Sequence, residues 1–280
     1  MFLLDLDGVL VDSAGELAGS AYDCALSRWP AAMASSPYSR EEVLAGLAGG
    51  RPRVIAGYEA LAQARLMAEL GPADGVAAVL ADWPGDTLAA ALARWGESAA
   101  TLAPAFEAHR VAAAADEATW LAANRAYPGV VAALRDVCGP WYVVSSKSAA
   151  RVAVLLRGLL GQAGAGFEVG GPRLWAGLQP PDTAKPAAIA DLAARVWGGL
   201  EGRAEATIHF VDDRYETLAA VASAPDLGPA VSAGRLRLHH AAWGYAAPAE
   251  AAAAAADPAV SCLDLPAFIE LLRWGRKMEK

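Results

Sequence analysis

The segment Met1-Phe2-Leu3-Leu4-Asp5-Leu6-Asp7-Gly8-Val9-Leu10-Val11-Asp12-Ser13 decides how the rest of the chain is read. Phe2, Leu3, Leu4 and Leu6 make a short apolar run of the kind that fills a strand covered on both faces, and Gly8 before Val9, Leu10 and Val11 marks a turn at its end. Asp5 and Asp7 therefore stand at the C-terminal end of a strand, where open α/β sheets bind their ligands. So short a strand is unstable alone and must pair with strands elsewhere in the chain.

Immediately after it, Ser13-Ala14-Gly15-Glu16 has the spacing of a capping box and predicts a helix start, as does Ser39-Arg40-Glu41-Glu42 further on. The pattern stays helical to about residue 125. Helices are expected over 58–70, stopped by Gly71-Pro72; over 86–94, after a Trp83-Pro84-Gly85 loop; and over 99–124, with a bend or restart near Pro104. From Tyr127-Pro128-Gly129 onward helices and strands alternate. The reading is helix 130–137, strand 141–144, helices 149–160 and 185–197, strand 207–211, helix 215–222, strand 236–240 and helix 265–274. The expected fold class is α/β: a Rossmann-like parallel-sheet core of residues 1–14 and 126–280, with an all-helical cap domain, residues 15–125, inserted after the first strand. Gly161-Gln162-Ala163-Gly164-Ala165-Gly166 follows a helix and lacks the dinucleotide fingerprint, so it reads as linker. The Ala-rich stretch 246–256 reads as loop or helix without chemistry.

The 280 residues, 55% of them hydrophobic, suffice for about two domains with real cores. Acidic residues outnumber basic ones, 31 to 23, and the net charge of -8 argues against binding nucleic acid or an anionic membrane surface. No uncharged apolar run approaches the ~18 residues of a membrane span, and the opening lacks a basic leader, so a cytoplasmic protein is expected. Cys24, Cys138 and Cys262, odd in number and far apart, read as small buried hydrophobes. No phosphate loop ending in Gly-Lys-Ser/Thr, His-Glu-x-x-His motif or Gly-x-Ser-x-Gly elbow occurs. His239 and His240, adjacent in a strand, point to opposite faces and make a poor metal site.

Four polar clusters fall at strand ends or helix starts: Asp5 with Asp7, Ser145-Ser146-Lys147, Lys185-Pro186 opening a helix, and Asp212-Asp213. Taken singly, each is most often structural, as turn, cap or surface charge. Their order along the chain is what converts them into a site. Asp5, Asp212 and Asp213 would crowd carboxylates that tolerate one another only around a hard cation, and oxygen ligands suit magnesium. A carboxylate so placed can attack phosphorus to form an aspartyl-phosphate. Ser145 can donate to a phosphoryl oxygen, Lys185 can supply positive charge, and Asp7 can protonate the leaving oxygen and then deprotonate water.

These four motifs, in this order over residues 5–213, resemble those of the haloacid-dehalogenase-like (HAD) hydrolase superfamily, and the helical insertion sits where that superfamily carries its alpha-helical cap. Trp243-Gly244-Tyr245 resembles a segment common in its phosphoglycolate-phosphatase and β-phosphoglucomutase-like branch. The resemblance implies that Asp5 is the nucleophile and a magnesium ligand and that Asp7 is the acid/base and binds Mg2+ through its main-chain carbonyl. It implies that Ser145 and Lys185 hold the phosphoryl group, with Gly8 and Ser146 lining its site. Asp213 would complete the metal site, with Asp212 second to it, because Thr217 stands where many such phosphatases carry a further Asp four residues on.

The chain has only four lysines, Lys147, Lys185, Lys277 and Lys280, so no cap lysine exists for phosphonatase chemistry. Asp7 favours phosphoryl transfer over dehalogenation. The expectation is a phosphatase acting on a small phosphorylated metabolite, a sugar phosphate or a phosphoglycolate-like compound. A β-phosphoglucomutase-like mutase and an idle binding protein of the same fold are the alternatives. Among the cap arginines, Arg51-Pro52-Arg53 after Gly49-Gly50 is the cluster set in a loop, and Arg51 could grip a substrate carboxylate or second phosphate. Trp29, Trp83, Trp95 and Trp120 read as cap core.

Overall fold

The computed structural model describes residues 1–137, 139–161, 166–198 and 205–274. The chain divides into two compact units, one of residues 1–12 and 125–280, the other of residues 13–124. The opening segment gives β1 (Phe2–Leu4) and β2 (Val11–Asp12).

Residues 13–124 contain only helices: α1 (Ala14–Arg28), α2 (Pro30–Ala34), α3 (Arg40–Gly50), α4 (Gly57–Leu70), α5 (Pro72–Ala81), α6 (Gly85–Trp95), α7 (Ala99–Ala113) and α8 (Glu117–Ala122). A core of Leu17, Leu47, Leu61, Met67, Leu102 and Phe106 holds them together. Two local expectations fail. Helix α7 continues through Pro104 without a restart, and the restart comes at Asp116, whose carboxylate caps α8 by accepting from Thr119 N. Ser13 makes no side-chain cap. Glu16 takes a bidentate, buried ion pair with Arg110 and accepts from Ser20 Oγ, a stronger claim than one neutral backbone N–H could make. The box at Ser39 and Glu42 does form.

The other unit continues with β3 (Arg125–Ala126), α9 (Val130–Arg135), β4 (Trp141–Ser145), α10 (Ala149–Leu160), β5 (Leu174–Ala176), α11 (Pro181–Trp197), β6 (Ile208–Asp212), α12 (Tyr215–Ser223), α13 (Gly228–Ser232), β7 (Leu236–Ala241), α14 (Pro248–Ala256), β8 (Val260–Leu263) and α15 (Leu265–Trp274). Strands β5-β4-β1-β6-β7-β8 form one all-parallel sheet, and β2 pairs antiparallel with β3. Leu3, Val144, Phe210 and Leu238 face a core shared with Ile189 and Leu192 of α11 and Leu218 and Val221 of α12. The fold is thus the expected Rossmann-like sheet. The short edge strands β5 and β8 were not anticipated, because each pairs on one side and carries too few residues for a pattern. Edge placement also exposes Cys262, correcting its reading as a buried hydrophobe, whereas Cys24 is buried. Cys138 and residues 162–165 of the glycine-rich linker lie outside the described residues. Among the described residues no helix is long and apolar enough to cross a membrane.

The topology places the site. From β1 the chain goes to β4 and β5 on one side of the sheet and then returns to β6 on the other, so connections diverge at the C-terminal end of β1. A crevice opens at such a switch point, and Asp5 is the residue that follows β1.

Candidate active site

Asp5 continues β1 into the switch point, its N–H donating to Val211 O of β6 at 3.0 Å. Its carboxylate is buried, with Oδ1 accepting from Leu6 N at 2.8 Å and Oδ2 2.9 Å from Lys185 Nζ. The same ammonium lies 2.7 Å from Asp212 Oδ2, while Asp212 Oδ1 accepts from Arg214 N at 2.9 Å. Asp213 Oδ2 accepts from Tyr245 N at 2.8 Å, and His240 Nε2–H donates to Asp213 O at 3.1 Å. One carboxylate oxygen from each of Asp5, Asp212 and Asp213 falls within 4.8 Å of the others.

This crowding acts on the acids themselves. Burial pushes the Asp5 carboxyl up to about 7 against the pull of Lys185, and Asp212, Asp213 and Asp7 push the same way. Burial alone would lower Lys185, but Asp212 and Asp5 outweigh it and hold the ammonium charged above the ordinary lysine range. Three buried carboxylates with an oxygen each in one place, only two of them bridged by Lys185, fit a divalent cation with oxygen preference, and magnesium is such an ion.

Ser145 ends β4 fully buried, and its Oγ accepts from Lys147 N at 3.2 Å, which leaves the hydroxyl proton to point elsewhere. Lys147 Nζ sits 3.0 Å from Asp7 Oδ1. The 145–147 loop is held by the segment that follows β5: Leu178 N donates to Ser145 O, Gly177 N to Lys147 O, and Gln179 Nε2 to Ser146 O. Lys185 does not open its helix as the sequence suggested. Helix α11 begins at Pro181, with Lys185 one turn inside and Pro186 tolerated in its first turns, so the ammonium comes from a rigid element.

Two glycines let backbone and acids converge. Gly8 has φ +80°, and a Cβ there would lie 2.0 Å from Asp213 Oδ2; a Cβ on Gly244 would lie 2.3 Å from Asp213 Cβ and 2.7 Å from Gly8 O. Around Gly244, Trp243 Nε1 donates to Val9 O and Tyr245 Oη to Asp12 Oδ1, tying the turn after β1 to the Asp213 loop. The structure thus brings Asp5, Asp7, Gly8, Ser145, Lys185, Asp212 and Asp213 to one end of one sheet, with Ser146 beside them.

Arg51 belongs to the helical unit. It is not in a loop: α3 passes directly into a 3-10 turn, Arg51–Arg53, and Arg51 Nη1 donates to Val54 O at 3.4 Å while Arg53 Nη2 donates to Leu80 O at 3.2 Å. Other arginines of that unit are committed to acids, Arg28 to Glu97, Arg40 to Asp23, Arg65 and Arg94 to Glu69, and Arg110 to Glu16. Trp83 and Trp120 are core, as expected, and Trp29 and Trp95 pack against it half-buried under the Arg65 guanidinium.

Sequence reasoning overlooked two groups. Lys147 was seen at a strand end without a role, although the scarcity of lysines was a signal. Glu250, in the Ala-rich stretch taken as empty of chemistry, accepts from Tyr215 N at 2.8 Å and anchors the segment that follows Asp213.

No family model and no curated protein matches this sequence. Solved structures do match. A predicted phosphoglycolate phosphatase from Haemophilus somnus is 19% identical, with a TM-score of 0.57 over 100% of this chain and 97% of that one. A conserved haloacid-dehalogenase-like protein of unknown function from Agrobacterium tumefaciens is 17% identical, with a TM-score of 0.53 over 100% of this chain and 98% of that one. At these identities the likeness establishes a shared fold along the whole chain.

Proposed function

We propose that this protein is a magnesium-dependent phosphomonoesterase of the cytoplasm that hydrolyses a small phosphorylated metabolite, a sugar phosphate or phosphoglycolate-like compound, through an aspartyl-phosphate on Asp5. The observation that carries the reading is the Asp5 carboxylate at the switch point, bridged by Lys185 and gathered with Asp212 and Asp213. The resemblance of the ordered motifs and the shared fold support it.

The chemistry follows from what each group can do. An Asp5 oxygen attacks phosphorus, a new P–O bond to Asp5 forms, and the bond to the leaving oxygen breaks. Asp7 gives its proton to that oxygen. Water then attacks the aspartyl-phosphate, Asp7 takes the water proton back, the P–O bond to Asp5 breaks, and phosphate leaves. Ser145 Oγ–H donates to a phosphoryl oxygen, and the Lys185 ammonium balances charge as it develops there. Asp5, Asp212 and Asp213 would hold magnesium, which when bound shields the attacking carboxylate from the anionic substrate. The helical unit serves as the cap that chooses the leaving group, with Arg51 gripping an anionic group on it.

The test is phosphate release, with and without magnesium, over a panel of phosphoglycolate, sugar phosphates and nucleotides. Magnesium-dependent turnover of one class is expected, with Asp5→Asn folded and silent by at least about 10⁴-fold. Wild-type rates in Asp5→Asn would remove the nucleophile from this account.

A further inference from the structure

We infer that Lys147 is a positioning residue that holds the Asp7 carboxylate toward the leaving oxygen; the inference rests on the phosphatase reading above, in which Asp7 is the acid. Both described lysines pair with acids of the site. Lys185 bridges Asp5 and Asp212, and Lys147 lies 3.0 Å from Asp7, with its side chain only 6% exposed. Burying a lysine stem and an ammonium is costly unless the charge is matched, so a pair this enclosed fixes both partners in place.

Lys147 is itself fixed from both sides of its backbone. Its N–H is bound to Ser145 Oγ at 3.2 Å and its carbonyl accepts from Gly177 N at 2.8 Å. The loop that aims the Ser145 hydroxyl therefore also aims the Lys147 ammonium. Asp7, by contrast, stands on the turn after β1, next to Gly8 at φ +80°, with its side chain 18% exposed. An acid on a turn samples several rotamers unless something holds it, and a proton donor must sit within hydrogen-bond reach of the oxygen it serves. Lys147 supplies that restraint from a different strand.

A restraint on the acid has a signature that a simple phosphate contact lacks. Expelling an alkoxide needs a proton, whereas expelling p-nitrophenolate does not. The experiment compares kcat/KM for an alkyl phosphate, the best substrate of the panel, with kcat/KM for p-nitrophenyl phosphate, in wild type, Lys147→Met, the milder Lys147→Gln, Asp7→Asn and the double variant Asp7→Asn/Lys147→Met. Because positioned acids are worth about 10² to 10⁴ in rate, the alkyl-to-aryl ratio is expected to fall by about 30-fold or more in both Lys147 variants and in Asp7→Asn. In the double variant the ratio should fall no further than in Asp7→Asn, since Lys147 acts through Asp7. If Asp7→Asn lowers the ratio but the Lys147 variants lower both esters equally or neither, Lys147 does not position the acid. If Asp7→Asn leaves the ratio unchanged, the assignment of Asp7 as acid fails, and this inference fails with it.

Discussion

Two groups of titratable side chains are buried in neighbouring strands of one sheet, and the fold treats them in opposite ways. At the ends of β1 and β6, Asp5, Asp212 and Asp213 gather their oxygens around one place, and Lys185 bridges two of them. Within β6 and β7, His209 and His239 stack at 5.2 Å between ring centroids, with His209 Nδ1 3.0 Å from His239 Nε2 and Phe2 stacked on His209. Among the described residues the buried Nδ1 of His239 has no hydrogen-bond partner, which fits a tautomer with the proton on Nε2 donating to His209. The histidines satisfy each other as neutral groups. The acids instead bring three carboxylate oxygens to one place, with Lys185 bridging two of the residues. Burial of polar groups is therefore no mark of a site; carboxylates crowded at a switch point are.

The largest effect should come from removing the cation that bridges Asp5 and Asp212. Lys185→Met leaves Asp5 and Asp212 facing each other in a dry site, and breaking such a buried pair costs about 3–5 kcal/mol. Urea unfolding in the presence of a chelator measures it, and the loss should shrink as pH falls below about 7, where Asp5 takes a proton. A cost under about 1 kcal/mol would mean that the acids relax as easily as the histidines do, and the contrast would collapse.

The histidine pair should be read out by acid. Burial first, then the repulsion of His239, the N-terminus and Arg237, pushes His209 down to about 3, and burial and Arg237 push His239 down to about 4. Unfolded imidazoles take a proton near 6.5. Below that pH the unfolded chain binds more protons, so stability is complete above about 6.5 and is lost as pH falls toward 4. Counting the pair as a single titrating group, the loss from pH 7 to pH 5 is about 2 kcal/mol. The double variant His209→Phe/His239→Leu should flatten this part of the profile; an unchanged slope would place the acid sensitivity elsewhere.

The contrast also explains what was legible in the sequence. Asp5, Asp7, Ser145 and the Asp212-Asp213 pair were readable because strand ends converge by topology, and a short apolar run before an acid betrays a strand end. Contacts between distant segments left no such trace. The capping boxes show why: Ser39 and Glu42 form theirs, whereas Glu16 forms its pair with an arginine 94 residues away. The pairing of Lys147 with Asp7 joins two strand ends in the same silent way. Likewise His209 and His239 become neighbours only through the β6–β7 register, which pairs Phe210 with Leu238 and Val211 with His239.

Glu250 sharpens the comparison, because it is a buried carboxyl handled as the histidines are. Burial first, then a hydrogen bond and repulsion from Glu216, raise it to about 8, against Arg214 and the Tyr215 N–H that it accepts. It is kept neutral by a proton, where Asp212 is matched by an ammonium. The folded state therefore binds this proton between about 4.5 and 8 while the unfolded state does not, so the stabilisation is present at acid pH and is lost as pH rises through about 8. Glu250→Gln keeps an oxygen for Tyr215 N and cannot ionise, so its stability should stay level where that of wild type declines. With Glu216 exposed and the pair screened by solvent, the gap at pH 9 should be about 1 kcal/mol in favour of the variant. A variant that tracked wild type from pH 6 to pH 9 would mean that Glu250 is charged like the site acids, and the division between neutralised and ion-matched carboxyls would have to be redrawn at α14.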